Sequence, residues 1–191
     1  MENILFIDAC VRPESRTRAL AQTVLQNLQG NVQQVRLYDQ PLLPLDLQAM
    51  AKRDEAASSG KYDDALFAHA RQFAEADVIV IAAPYWDLMF PAVLKTYLEN
   101  ITVTGLTFRY SEHGFPVGLC RGRKLYYVTT SGGYMGDCPM GFAYVQALAK
   151  GFYGIADVQC ISAQGLDIVG NDAEAILKEA EKAAVQLLQG E

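Results

Sequence analysis

The chain has 191 residues, 51% of them hydrophobic, with 16 Lys and Arg against 22 Asp and Glu for a formal charge of −6. That balance suits one globular unit over residues 1–191, which buries about 70% of its unfolded surface. It offers no basic surface for a nucleic acid, and its longest apolar run, Val78 to Ala83, is far short of a membrane span.

The segment Met1–Asp8 has no positive n-region, and Asp8 interrupts its apolar run. It reads as a first strand over Ile4–Ile7, not a signal peptide. Leu20, Val24, Leu25 and Leu28 recur at helical spacing and predict a helix over Arg18–Leu28. Val32–Tyr38 alternates, as a strand near an edge does, and Pro41 and Pro44 keep the next connection out of a sheet. Tyr62–Ala76 follows as a helix, Val78–Ile81 as a strand buried on both faces, and Pro91–Leu98 as a helix with Pro91 in its first turn. Lys124–Thr130 is a fourth strand, Phe142–Lys150 a helix, Val158–Ala163 a fifth strand and Asp172–Leu188 a closing helix. Alternating β and α units of this kind predict an α/β three-layer fold, a five-stranded parallel sheet with helices on both faces. Cys10, Cys120, Cys138 and Cys160 are widely spread and form no CxxC pair, so no metal site is predicted and a reducing cytoplasm is the expected location.

In such a sheet a ligand sits beyond the carboxyl ends of the strands. Three loops there are informative. After the first strand comes Ala9–Arg18, without a GxGxxG or a GKS/T motif but with Ser15 and Thr17 where the helix begins. Free N–H groups and a dipole of ~+0.5 charge favour a phosphate there, helped by Arg16 or Arg18; the alternative is that Ser15 only caps the helix. After the third strand comes Pro84-Tyr85-Trp86-Asp87-Leu88, either a wall for a flat heterocycle or a loop tucked into the core or an oligomer interface. After the fourth comes Thr130-Ser131-Gly132-Gly133, whose glycines let backbone approach a ligand closely or simply permit a turn.

Ile81-Ala82-Ala83-Pro84, Leu94-Lys95-Thr96-Tyr97 and above all Gly105-Leu106-Thr107-Phe108-Arg109-Tyr110 resemble the FMN-dependent NADH-azoreductases. These are part of the wider flavodoxin-like group of NAD(P)H:quinone oxidoreductases, and the resemblance runs end to end, through Gly154-Ile155-Ala156-Asp157-Val158. It implies FMN as cofactor and NADH or NADPH as co-substrate, with hydride passing in ping-pong fashion to a quinone or azo acceptor. By the same resemblance Ser15, Arg16 and Thr17 hold the FMN phosphate, with Cys10 where the family has serine. Pro84, Tyr85, Trp86, Asp87 and Leu88 run along the isoalloxazine, and Thr130, Ser131, Gly132 and Gly133 meet its pyrimidine edge. Phe108 and Tyr134 shape the acceptor pocket, and the family's members are homodimers. The chain departs at Trp86 for tyrosine, Asp87 for asparagine and Tyr134-Met135 for histidine, changes that bear on the acceptor more than on FMN.

Two rival readings remain. Cys10 to Thr17 satisfies C-x5-R-[S/T], a phosphatase pattern with Cys10 as nucleophile and Arg16 as phosphate ligand. Against it, Pro13 removes an N–H donor and Glu14 sets a carboxylate beside the phosphate. A flavodoxin-type electron carrier is the other, although the Thr-x-Thr-Gly-x-Thr loop of flavodoxins is absent.

Overall fold

Short β-branched runs and amphipathic segments alternate along the chain, and the structure, a computed structural model, describes residues 1–190 of it. The elements are β1 (Asn3–Asp8), α1 (Arg16–Gln26), β2 (Asn31–Arg36), α2 (Leu47–Ser58), α3 (Ala68–Glu75), β3 (Val78–Ala82), α4 (Ala92–Ile101), β4 (Phe108–Tyr110), β5 (Pro116–Gly118), β6 (Lys124–Thr130), α5 (Met140–Leu148), β7 (Asp157–Ala163) and α6 (Ala173–Gln189). Five strands pair in parallel in the order β2-β1-β3-β6-β7, with Ile7 opposite Ile81 and Tyr127 opposite Cys160.

Side chains alternate across a strand, so one sequence feeds two cores. Leu5, Ile7, Ile79, Ile81 and Tyr127 face α3, α4 and α5, while Ile4, Phe6, Val80 and Val128 face α1 and α6. This is the predicted three-layer α/β arrangement, and β2 lies at the edge as its polar alternation implies. Among the described residues no helix is long and apolar enough to cross a membrane.

Four local expectations are corrected. The helix expected from Tyr62 starts only at Ala68, because Asp64 caps a 3-10 turn over Ala65–Phe67 by accepting the Leu66 N–H at 2.8 Å. Pro91 stands at the N-cap of α4, one residue before its first turn. α5 begins at Met140 and widens into a π turn over Ala149–Tyr153, closed by Gly154 at φ 80°. α2, absent from the sequence reading, is capped by Asp46 and buries none of its residues, so it carries no apolar stripe to detect.

The β4–β5 hairpin fills the segment between Ile101 and Arg121. It leaves the end of α4 and returns at the amino edge of the sheet, where Arg121 N–H donates to Ala74 O and Arg123 N–H to Asp77 O. The reversal of strand order between β1 and β3 lies at the opposite, carboxyl edge.

Candidate functional site

The loop after β1 has little glycine, and a single guanidinium shapes it. Arg18 Nε reaches the buried Asp8 carboxylate at 2.6 Å, and its Nη1 donates to the carbonyls of Arg12 and Pro13 at 2.8 Å. Asp8 in turn accepts the Cys10 N–H at 2.9 Å. Arg18 is therefore engaged in holding the loop, while Arg16, at the start of the helix, lines the cleft together with Arg12.

Ser15 does cap α1, its Oγ accepting the Arg18 N–H at 3.3 Å. The N–H groups of Arg16 and Thr17, first in the helix, have no acceptor among the described residues and keep the dipole's positive end open. The buried Thr17 hydroxyl meets that of Thr130 at 2.6 Å, which ties α1 to the end of β6 and leaves one hydroxyl hydrogen of the pair for another acceptor.

After β3, Tyr85 N–H donates to Thr130 O, and Trp86 and Met89 exchange backbone hydrogen bonds at 2.9 and 2.8 Å. The two residues between them, Asp87 and Leu88, take φ of 48° and 70°, the left-handed geometry of a two-residue hairpin turn. Positive φ at a leucine costs roughly 1 kcal/mol, which the surrounding pairing must offset.

After β6, the Gly132 and Gly133 N–H groups are without acceptors among the described residues. Their carbonyls accept from a fourth loop, the one after β7: Asp167 N–H donates to Gly132 O at 3.0 Å and Gly165 N–H to Gly133 O at 3.1 Å. That loop was not among the sequence candidates. Its signal was weak, a polar Gln164-Gly165 break after an apolar strand.

The four loops bound a cleft of about 210 Å³. The structure brings Ser15, Arg16, Thr17, Pro84, Tyr85, Trp86, Thr130, Ser131 and Gly132 together in its walls, joined by Val11, Arg12 and Glu14 of the first loop and by Asp167. Gly133 and Tyr134 are exposed at the rim, with the Tyr134 ring lying over Gly165. Asp87 and Leu88 stand at the exposed tip of their turn and do not line the cleft. Phe108 is buried in the hairpin against Phe152, ring centroids 4.9 Å apart, and reaches no cleft wall of its own chain, because the hairpin docks at the amino edge. A larger hollow of about 420 Å³ lies beside α3, also at the amino edge, but its Arg71 is engaged by the carbonyls of Tyr62 and Asp64.

Cys10 is also outside the cleft. It is 3% exposed beneath the loop, with its thiol 3.7 Å from Ala82 O. Burial above all, reinforced by the Asp8 carboxylate and opposed by the Ser15 hydroxyl, pushes the thiol up to about 12. A protonated, covered thiol is no nucleophile. Arg16 meanwhile bonds to Asp167 and to Leu166 O, and the phosphatase reading of this loop is overturned.

The cleft offers two separate pairs of free N–H donors, one at a helix N-terminus and one in a glycine turn, with aromatic side chains between. That is a fit for a flat heteroaromatic ring carrying a terminal phosphate.

Comparison with known proteins gives the same picture. The family model described as "Flavodoxin-like fold" matches residues 2–188. The chain is 38% identical to FMN-dependent NADH:quinone oxidoreductase 2 of Clostridium acetobutylicum, over 97% of this chain and 98% of that one. It is 38% identical to FMN-dependent NADH:quinone oxidoreductase of Lachnoclostridium phytofermentans, over 96% of each. Among solved structures, an azoreductase from Bacillus anthracis superposes with a TM-score of 0.85 at 26% identity over 100% of both chains. An FMN-dependent NADH-azoreductase of the same species, in complex with FMN, gives 0.82 at 25% identity, over 99% of this chain and 98% of that one.

Proposed function

The chain belongs to the flavodoxin-like fold family, and on that premise we propose that it is an FMN-dependent NAD(P)H oxidoreductase reducing quinones and azo compounds. The observation that carries the reading is the set of four N–H groups, of Arg16, Thr17, Gly132 and Gly133, that have no acceptor among the described residues, at a cleft walled by Tyr85 and Trp86. The electron-carrier alternative loses its support, since relatives matched along the full length are named oxidoreductases.

When bound, FMN supplies the two-electron carrier between nicotinamide and acceptor. The rest is work for the chain. The N–H groups of Arg16 and Thr17, with the Ser15 hydroxyl and the Arg16 guanidinium, hold the phosphate at the positive end of α1. The absence of a second phosphate cradle such as GxGxxG favours FMN over a dinucleotide. Tyr85 and Trp86 present apolar surface along the ring and exclude water. The Gly132 and Gly133 N–H groups would donate to the flavin ring and favour negative charge on it, as an oxyanion hole does. Trp86 and Tyr134 are exposed beside the cleft, apolar surface against which a nicotinamide and, after its departure, a quinone would pack, as a ping-pong sequence requires.

A homodimer is part of the proposal. α2 has no fully buried residue, and Leu43, Leu47, Tyr110 and Phe115 are more than half exposed, apolar surface that a second copy would cover. A cytoplasmic location agrees with four free cysteines.

The test is the purified protein's cofactor and turnover. Flavin released by acid should chromatograph as FMN, NADH should bleach the bound flavin, and quinone should restore its colour. Release of FAD, or no bleaching by either nicotinamide nucleotide, would sink the reading.

A further inference from the structure

Arg12, Glu14 and Asp167 are charged residues of the cleft wall to which the reading above gives no role, and of these Asp167 is the one bonded to Arg16. Asp167 comes from the loop after β7, and its Oδ1 accepts from Arg16 Nη2 at 2.8 Å. Its Oδ2 lies so close to Gly132 that a Cβ there would be 2.5 Å away, so the glycine is what admits the carboxylate to this place. Arg16 is anchored on the same loop by its bond to Leu166 O at 3.3 Å. The ion pair is open to solvent, with side-chain exposures of 40% and 65%, and is not a buried brace. The Arg16 guanidinium at the start of α1 is thus already paired with the protein's own carboxylate.

A phosphate dianion is a stronger partner for a guanidinium than a carboxylate, with higher charge and the same bidentate geometry. A carboxylate left beside that phosphate repels it. We propose that Asp167 is an internal surrogate for the flavin phosphate: it holds Arg16 in the cleft and must yield it when phosphate enters, which sets the affinity and selectivity for phosphorylated flavin. The inference rests on the FMN reading above. Asp167 acts as a brake on FMN and is indifferent to riboflavin, which brings no competing anion.

The test titrates FMN and riboflavin, followed by flavin fluorescence, into the full chain freed of flavin by dialysis. Four forms are compared: wild type, Asp167→Asn, Arg16→Gln and the double variant. Asp167→Asn should tighten FMN by about threefold to tenfold, the scale of one like-charge contact in partial solvent, and leave riboflavin within about twofold. Arg16→Gln should weaken FMN, and adding Asp167→Asn to it should recover less than half of the single variant's gain. Unchanged or weaker FMN binding by Asp167→Asn would overturn the proposal, as would equal tightening of riboflavin. A wild-type chain that binds riboflavin and FMN alike would overturn the phosphate site itself, and one that binds neither would overturn the flavin reading with it.

Discussion

Cys10 separates the flavin and phosphatase readings most sharply, because they require opposite states of its thiol. Burial raises it from an ordinary 9.0 to about 12. At pH 8 such a group is ionised to about one part in 10⁴, against about a quarter for an open thiol with a pKa near 8.5. The thiolate is the reactive species, so ionisation alone slows Cys10 by more than about a thousandfold, before occlusion is counted. Cys120 and Cys160 are pushed up to about 12 by the same burial, while Cys138 is exposed. A disulfide reagent added to the native protein should therefore titrate one thiol per chain within minutes and four after guanidinium. Cys138→Ser should remove the fast phase. Cys10→Ser should keep quinone reduction within about twofold at matched flavin content. A second fast thiol that disappears in Cys10→Ser would refute the reasoning. So would a loss beyond about tenfold in rate, which is about 1.4 kcal/mol of barrier, since either means a working thiolate under the first loop.

The same thiols carry a pH dependence. Their folded values lie above the unfolded one, so the unfolded chain loses protons first. The stability they contribute is whole below about pH 9 and declines as pH rises towards 12, by about 1.4 kcal/mol per unit for each thiol. Urea midpoints at pH 8 and pH 10 read this, and a flat profile would contradict it. Gly118→Ala should cost about 3 kcal/mol and lower Tm by ~6–12 °C, because its Cβ would meet the Gly154 and Tyr153 backbone at 2.2–2.4 Å, which cannot give way. Gly132→Ala, whose nearest contacts would be with the movable Asp167 side chain, should cost about 1 kcal/mol or less in a thermal melt. Asp8→Asn should cost about 3 kcal/mol and weaken flavin retention, since it leaves Arg18, 16% exposed, without its counter-charge. Unchanged stability there would mean that the loop holds its shape without the pair.

Much of the molecule was legible in the sequence. Short, β-branched apolar runs such as Val78–Ala82 point to strands covered on both faces, and their alternation with amphipathic helices leaves few topologies open. The three loops carrying Ser15, Tyr85 and Gly132 follow from that topology, because parallel strands present their carboxyl ends together. The rest depended on contacts distant in the chain. α2 packs only the small Ala56 and Ala57 against the core and so leaves little periodic trace, and the hairpin's strands are three residues each. Arg16 and Arg18 are equivalent as text; only packing shows that Arg18 turns inward to Asp8 while Arg16 faces the cleft and Asp167, 151 residues away. Cys10 and Arg16 spelled a nucleophile and its phosphate ligand in one dimension. Folding buried the first and paired the second, because a motif sets residue types and spacing, whereas burial and ion pairing, which set reactivity, belong to the tertiary structure.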